Sequence, residues 1–164
     1  MNEMSGHWKK LVSDPKFLGE ADLIGQPEII ATISKVVKDM VQNGNRKEEK
    51  TVVYFHEDIK PMVLNVTNSK RIAKLAGSPL VEKWTGTRIQ IFFDPSVKFA
   101  GDTVGGVRVR TFAPAVPRCE VCKGEIKAHG RRSINDMATY TKGKYGKAMC
   151  AECATKVAQG GDAK

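Results

Sequence analysis

The sequence predicts a mainly β domain of ordinary size, followed by a small module held together by a metal ion. Apolar and β-branched residues alternate with polar ones over much of residues 28–112, a pattern typical of half-buried strands. All four cysteines lie in the last third of the chain, in two Cys-x-x-Cys pairs. A chain of 164 residues has room for one such domain and for a small one that needs a cross-link, such as a metal ion, to be stable.

Residues 1–20 are predicted to form an arm that packs on the β domain. This stretch combines Trp8 and Phe17 with basic residues, glycine and proline. Aromatic rings that bury themselves on a neighbouring surface would hold such an arm in place. A flap that closes over a ligand is the alternative.

The stretch that follows predicts three strands. Residues 28–38 alternate at period two, which predicts one long strand in a strongly bent sheet. Residues 42–50 contain the turn-forming pair Asn43-Gly44 and a run of charges, so we expect a hairpin loop there. The other two strands are predicted at Thr51–His56 and Met62–Val66.

One short helix and two further strands complete the β domain. Residues 67–69 offer side-chain oxygens that can cap a helix, and Gly77 can end it. Apolar residues recur between them at helical spacing. The last two strands are predicted at Arg88–Phe93 and Val107–Phe112, with turns marked by glycines between them.

This order of elements is that of an OB-fold, a five-stranded Greek-key barrel, here with one short helix between its third and fourth strands. Each strand has one apolar alternate face that can fill a barrel, and closure would leave no edge exposed. Tyr54 should then face outward, and Trp84 should plug the interior. The residues expected inside are Val53, Phe55, Met62, Leu64 and Val66.

The composition also suggests where the domains end. We expect the barrel with its arm at residues 1–113 and a stiff, proline-containing linker at residues 114–118. The metal module would occupy residues 119–158. Residues 159–164 would form a disordered tail.

Cys119, Cys122, Cys150 and Cys153 predict a structural zinc ion in a treble-clef or ribbon-like module. Two residues between paired cysteines let a tight turn place both sulfurs on one ion, and four thiolates leave no open position for a substrate. Two disulfides or a redox centre are the alternatives. Disulfides suit a secreted chain, but residues 1–16 contain no apolar leader, and a redox motif would need no duplicate.

Residues around the cysteines indicate the local structure of this module. We expect Gly124 to adopt the positive φ that a zinc knuckle often needs. Ser133 and Asp136 have the spacing of a capping box at the start of one helix, and residues 154–158 read as part of another.

The net charge of +9 favours a polyanionic partner such as nucleic acid. Residues 115–164 are the more basic part, with ten basic and five acidic side chains. No apolar run is long enough to cross a membrane, so we expect a soluble, cytoplasmic protein.

Three stretches resemble small OB-type proteins encoded by phages and prophages: residues 60–68 followed by Ile72-Ala73, Trp84-Thr-Gly86, and Val107–Arg110. The cysteine module is similar to zinc modules appended to phage DNA-metabolism proteins. The resemblance implies single-stranded DNA binding in phage replication or recombination, inside a bacterial host cell, with phage or host replication proteins as further partners. Residues 159–164 differ from the acidic, aromatic-tipped tail that typical single-stranded DNA-binding proteins use to recruit partners.

Several side chains are predicted to contact the nucleic acid through stacking or charge. Tyr54 would stack on a base, and Arg108 with Arg110 would project from one strand face about 7 Å apart, near the spacing of successive phosphates. The alternative for Tyr54 is an outer-face tyrosine that the N-terminal arm covers, and the alternative for the two arginines is a solvated sheet face. The remaining predicted contacts are Lys70, Arg71, Lys74, Arg131, Arg132, Lys142, Lys144 and Lys147.

No catalytic constellation is apparent, so we do not expect an enzyme. The three histidines fall in separate predicted elements, and no phosphate-binding loop or nucleophile triad is present in the sequence. One rival interpretation is a protein-interaction module that recruits or inhibits a host enzyme or defence complex. Another is a binder of duplex DNA or RNA that uses the zinc module.

Overall fold

A computed structural model describes residues 15–160 of the chain, apart from the side chain of Asn43. The chain divides into two compact units, Met1–Ala113 and Pro114–Lys164. Trp8 and the end of the predicted tail lie outside the described residues. None of the helices in residues 15–160 has the length and apolarity that crossing a bilayer requires.

The first unit contains seven strands within its described residues: β1 (Ile29–Asn43), β2 (Arg46–Phe55), β3 (Met62–Val63), β4 (Arg88–Asp94), β5 (Lys98–Phe99), β6 (Asp102–Thr103) and β7 (Gly106–Val109). Five of them form an antiparallel sheet with the order β3-β2-β1-β4-β7, and β5 and β6 form a separate hairpin. β3 and β7 therefore lie at the two edges of the sheet.

β1 belongs to both halves of the sheet, as expected for a long, bent strand. Its first residues pair with β4, from Ile29 opposite Ile91 to Thr32 opposite Arg88. Its remaining length pairs with β2, and the register shifts at a bulge between Ile33 and Lys35. A bulge bends a strand and increases its twist, so one strand can serve two differently oriented halves.

The prediction of a hairpin loop at residues 42–50 is wrong, because β1 and β2 continue to a two-residue turn at Gly44 and Asn45. Gly44 has a φ of 60°, which suits it to a tight turn. The charged run extends the ladder: Lys38 Nζ, for example, lies 3.3 Å from a carboxylate oxygen of Glu49 on the facing strand. This outer part of the hairpin projects beyond the core, and residues 46–51 are mostly exposed.

β3 is shorter than predicted because Asn65 starts a helix. Helix α2 runs from Val66 to Ala76, and Asn65 Oδ1 accepts a 2.8 Å hydrogen bond from the backbone N–H of Asn68. The cap was predicted at residues 67–69, so the start of the helix was misplaced. Val66, expected inside, is consequently 71% exposed. Gly77 ends the helix in the left-handed conformation, as predicted.

The core of the first unit is formed by one face of the sheet with α2. Val53 and Met62 are buried as predicted, while Phe55 and Leu64 pack against the core from partly buried positions. Trp84 is also buried, and its Nε1–H donates a 2.9 Å hydrogen bond to the carbonyl of Ser78. The other buried members are Leu18, Leu23, Ala31, Ile33, Ile72, Ile89, Ile91 and Val109.

The last strand ends earlier than predicted, and α2 covers its outer edge. The Asn68 side chain donates to the carbonyl of Val107 and accepts from the N–H of Val109, both at 3.0 Å. Arg71 Nη1 donates to the carbonyl of Val109 at 2.6 Å. Side chains of α2 therefore take the place of a neighbouring strand along this edge of β7.

Near its beginning, the described chain forms a single helical turn, α1 (Glu20–Leu23). Phe17 is buried, in agreement with an arm that packs its aromatic side chains. The Lys16 ammonium lies 2.7 Å from Asp39 Oδ2 on β1. The backbone N–H of Leu18 donates to the carbonyl of Pro61, which fixes this segment beside β3.

The second unit contains two helices around a small core. Helix α3 runs from Ile134 to Tyr145 and begins at the predicted capping box of Ser133 and Asp136. Helix α4 runs from Ala151 to Ala158 and includes the predicted helical residues 154–158. The fully buried Thr141 hydroxyl donates to Met137 O and accepts from Met149 N, each at 2.8 Å. This hydroxyl ties α3 to the segment that leads into the second cysteine pair.

Candidate metal centre and nucleic-acid interface

The four cysteines form a cluster that can hold one metal ion. All four are free thiols, and their sulfurs lie within 4.8 Å of one another. The Cys122 and Cys150 sulfurs are 3.8 Å apart. Four sulfurs placed tetrahedrally at about 2.3 Å from an ion would have edges of about 3.8 Å. The arrangement therefore fits a single tetrahedral ion.

The first cysteine pair lies in a tight turn. The N–H of Cys119 donates to Gly124 O at 2.7 Å, and the N–H of Lys123 donates to Cys119 O at 2.9 Å. Lys123, with a φ of 63°, occupies the left-handed position of this turn, whereas Gly124 is not at positive φ. The prediction for Gly124 was thus wrong by one residue.

The second cysteine pair is placed by a helix. Cys150 is the N-cap of α4, and Cys153 lies in the first turn. One buried sulfur comes from each pair, Cys119 and Cys153, while Cys122 is exposed and Cys150 is half-buried. The two more accessible cysteines line a groove of about 890 Å³ together with Lys127, His129 and Lys156.

The pKa values of two of the thiols are shifted in opposite directions. Burial raises the pKa of Cys119, but backbone hydrogen bonds from Cys122, Cys150 and Val121 outweigh it and lower that pKa to about 6. Burial and the neighbouring sulfurs raise the pKa of Cys153 to about 12. One thiolate is thus favoured by the backbone, and a bound metal would stabilise the others.

The first unit carries a cleft of about 870 Å³ between the two edges of its sheet. Its walls are β3, the start of α2, the β5–β6 hairpin, the start of β7 and residues 18–21. We call it the β3–β7 cleft. Because the two edge strands do not pair with each other, the sheet leaves this space open.

Exposed apolar side chains converge on the β3–β7 cleft. Phe99 is 75% exposed and Val66 is 71% exposed, and Val104 lines the cleft beside them. The sequence analysis missed Phe99. The signal in the sequence was an aromatic residue close to Gly101, which was expected to mark a turn; in the structure Ala100 and Gly101 are both at positive φ in the turn of the β5–β6 hairpin.

Arg108 lies on the face of β7 opposite the buried Val109, and Arg110 directly follows the end of that strand. Arg108 lines the β3–β7 cleft, and so does Lys98. Arg110 is engaged elsewhere: its guanidinium forms two hydrogen bonds with the carboxylate of Glu28 and lies 3.7 Å from the centre of the Phe92 ring. The two arginines therefore differ in how free they are to bind a phosphate.

Tyr54 is half-buried and held by polar contacts on β1. Its hydroxyl donates a 2.7 Å hydrogen bond to Asp39 Oδ2. The Lys35 ammonium lies 4.9 Å from the centre of its ring. Tyr54 does not line the β3–β7 cleft.

The predicted basic residues on α2 have different environments. Arg71 donates to the last strand, as described above. Lys70 and Lys74 are exposed, and neither lines the β3–β7 cleft.

The predicted basic residues of the second unit are all exposed, and two of them meet at one aromatic ring. The Arg132 guanidinium carbon lies 3.9 Å from the centre of the Tyr140 ring, and Lys144 Nζ lies 3.1 Å from the Tyr140 hydroxyl. The other three predicted basic residues, Arg131, Lys142 and Lys147, make no such contact with an aromatic ring among residues 15–160.

No family model matches this chain, and neither a curated protein nor a solved structure does.

Proposed function

We propose that this chain is a single-stranded DNA-binding protein whose first unit is an OB-type barrel and whose cysteine cluster holds a structural zinc ion. The observation that carries the proposal is the β3–β7 cleft, in which the exposed Phe99 lies with Lys98 and Arg108. Single-strand binding needs an aromatic platform for bases beside cations for phosphates, and this cleft offers both.

The sheet order supports an OB-type barrel. β1 is shared between two antiparallel halves, and α2 lies between the third and fourth strands of the sheet. An OB barrel is often partly open, and it binds its ligand with the loops between strands one and two and between strands four and five. In this chain the β5–β6 hairpin, which carries Phe99, connects the fourth and fifth strands of the sheet.

The chemistry of the cleft favours binding of single-stranded DNA of any sequence. Stacking on Phe99 would accept any base, because every base has a π face. Lys98 and Arg108 would bind the phosphates between bases, with no reading of base edges. We therefore expect binding with little sequence preference.

Zinc is our choice of metal because four cysteine sulfurs in a tetrahedral arrangement suit it. The four ligands would come from the turn at Cys119 and Cys122 and from the start of α4. Zinc would hold these two segments together and so stabilise the small core of the second unit. All four positions are then filled by the protein, which leaves the ion no catalytic role.

The test is fluorescence anisotropy of a labelled oligo-dT of about 30 nucleotides and of an equally long duplex, at about 50 and 200 mM salt. We expect saturable binding to the single strand, weaker binding to the duplex, and affinity that falls with salt. Phe99→Ala should weaken binding by about 1–3 kcal/mol with the salt slope unchanged, and Arg108→Ala should lower the slope by about one.

Two control variants lie outside the cleft. Phe112→Ala removes another exposed aromatic side chain, and Lys83→Ala removes another exposed cation. Neither should change affinity or slope. Absence of saturable binding to the oligo-dT by the unaltered protein would refute the proposed function.

A protein partner is the second candidate, because Phe99, Val66 and Val104 together form an exposed apolar patch. This alternative predicts tight capture of a specific protein and no saturable binding to oligo-dT. It also predicts that Phe99→Ala, but not Arg108→Ala, abolishes the capture.

A further inference from the structure

The second unit holds a compact group of basic and aromatic side chains on α3 and the hairpin before it. His129 and Arg132 exchange two backbone hydrogen bonds of 3.0 Å across Gly130, which fixes this hairpin directly before the N-cap of α3. Arg132 then lies over Tyr140 at 3.9 Å. Lys144, one turn further along α3, donates to the Tyr140 hydroxyl at 3.1 Å and lies 5.4 Å from the Tyr145 ring centre.

None of the carboxylates in residues 15–160 pairs with these cations. In the described part of the second unit, no lysine or arginine forms an ion pair within 4.0 Å, whereas residues 15–113 of the first unit have five such pairs. The nearest acid on α3, Asp136, accepts hydrogen bonds from the N–H and the hydroxyl of Ser133. Two positive charges are thus held at one ring without an anion to offset their repulsion.

We propose that Arg132, Tyr140 and Lys144 form a binding site for a phosphate of a nucleic-acid backbone. A guanidinium presents several N–H donors to the oxygens of a phosphate, and a lysine ammonium has three donors, of which Tyr140 occupies one. The ring holds both cations in place before the anion arrives. Binding an anion there relieves their mutual repulsion, so the site favours a phosphate over a neutral ligand.

The geometry favours a phosphate over a stacked base at this site. Arg132 already lies over Tyr140, so a base would have to displace the guanidinium from that face. The ring therefore serves to position the cations, and the cations make the contact.

This inference rests on the proposed binding of nucleic acid but not on the β3–β7 cleft. The test compares Arg132→Ala/Lys144→Ala with Lys127→Ala/Lys156→Ala in the full-length, zinc-loaded protein. The second pair removes the same charge from the groove beside the cysteine cluster. Each variant is titrated with labelled oligo-dT and duplex of about 30 nucleotides or base pairs over a range of salt.

Because the site would bind one phosphate, we expect the Arg132/Lys144 variant to lower the salt slope by about one, and the Lys127/Lys156 variant to leave it unchanged. A loss seen only with oligo-dT assigns the site to a single strand, and a loss seen with the duplex assigns it to a double strand. If the double variant fails to fold, Lys144→Met alone should lower the slope in the same direction, by up to about one.

An unchanged slope on both probes, or an equal loss in the two variants, would overturn this site. If Phe99→Ala weakens binding while the Arg132/Lys144 variant binds normally, this site is wrong and the proposed function stands. If the unaltered protein binds neither probe, both are wrong.

Discussion

The Asn68 side chain accepts a 3.0 Å hydrogen bond from the backbone N–H of Val109 and donates an equally long one to Val107 O. A helix side chain thus makes the two bonds that a neighbouring strand would make with β7. Asn68 is buried, with 1% of its surface exposed, so water cannot replace these bonds. This contact joins α2 to the edge of the sheet beside the cleft.

Asn68→Ala should therefore destabilise the first unit strongly. The change leaves one buried N–H and one buried carbonyl without partners, which costs about 2–4 kcal/mol in the free energy of unfolding. Urea unfolding, followed by circular dichroism, measures this loss. Lys70→Ala, on the exposed face of the same helix, should change stability by less than about 0.5 kcal/mol. Equal effects of the two substitutions would contradict this role of Asn68.

Gly105→Ala should destabilise more than Gly101→Ala, although both glycines are at positive φ. A Cβ on Gly105 would lie 2.6 Å from the Phe93 ring, whereas a Cβ on Gly101 would meet nothing within 4 Å. We expect Gly101→Ala to lower the free energy of unfolding by about 1–2 kcal/mol, from backbone strain alone. Gly105→Ala should lower it by about 1–3 kcal/mol more, because of the collision. Thermal or urea unfolding gives both values.

A second substitution checks the cause of the Gly105 effect. Phe93→Leu shortens the side chain that the new Cβ would strike. Phe93→Leu should therefore lower the free energy of unfolding less in the Gly105→Ala variant than in the unaltered protein, because it relieves the collision. Additive effects would show that the collision is not the cause.

Asp39 should titrate well below an ordinary aspartate. Hydrogen bonds from Lys16 first and Tyr54 second lower its pKa from 3.8 to about 2. A carboxylate with a lowered pKa contributes stability above about pH 4, and that contribution disappears as the pH falls through 2. Carbon-detected NMR of the carboxyl group would measure the pKa. Lys16→Ala should raise this pKa more than Tyr54→Phe does, and the reverse order would contradict the assignment of causes.

Removing the metal should unfold the second unit selectively. We expect one zinc ion per purified chain by elemental analysis, and a chelator should abolish α3 and α4 because their small core depends on the linked cysteines. The amide NMR signals of residues 119–158 should collapse, while those of β1 and β4 persist. Restoring zinc should restore the signals. One cooperative loss of both sets would contradict a first unit that stays folded without the metal.

Local patterns predicted much of the fold and of the metal site. The long bent strand, the helix end at Gly77, the burial of Trp84 and the capping box at Ser133 are all present. Each of these features depends on residues close together in sequence or on one residue type with a strong structural preference. The cysteine spacing likewise predicted that all four sulfurs would meet.

What the sequence could not show depends on contacts between distant residues. Asn68 was predicted as a local helix cap, but its side chain also bonds to a strand about 40 positions later. The charged residues after Asn43 looked like a loop because their partners on β1 were unknown. Phe99 became a candidate only when the hairpin that carries it was placed beside β3 and β7.

The outer half of the β1–β2 hairpin projects beyond the core. The backbone amides within each of these strands should therefore exchange hydrogen at two different rates. Val52 and Val53 are buried, but the residues that precede them on β2 are mostly exposed. A two-stranded ribbon without a core is only marginally stable, so its amides should open to solvent by local fraying. Amides of the same strands at the core should exchange only when the whole unit unfolds. The outer hairpin can therefore fray and re-form without disturbing the sheet that supports it.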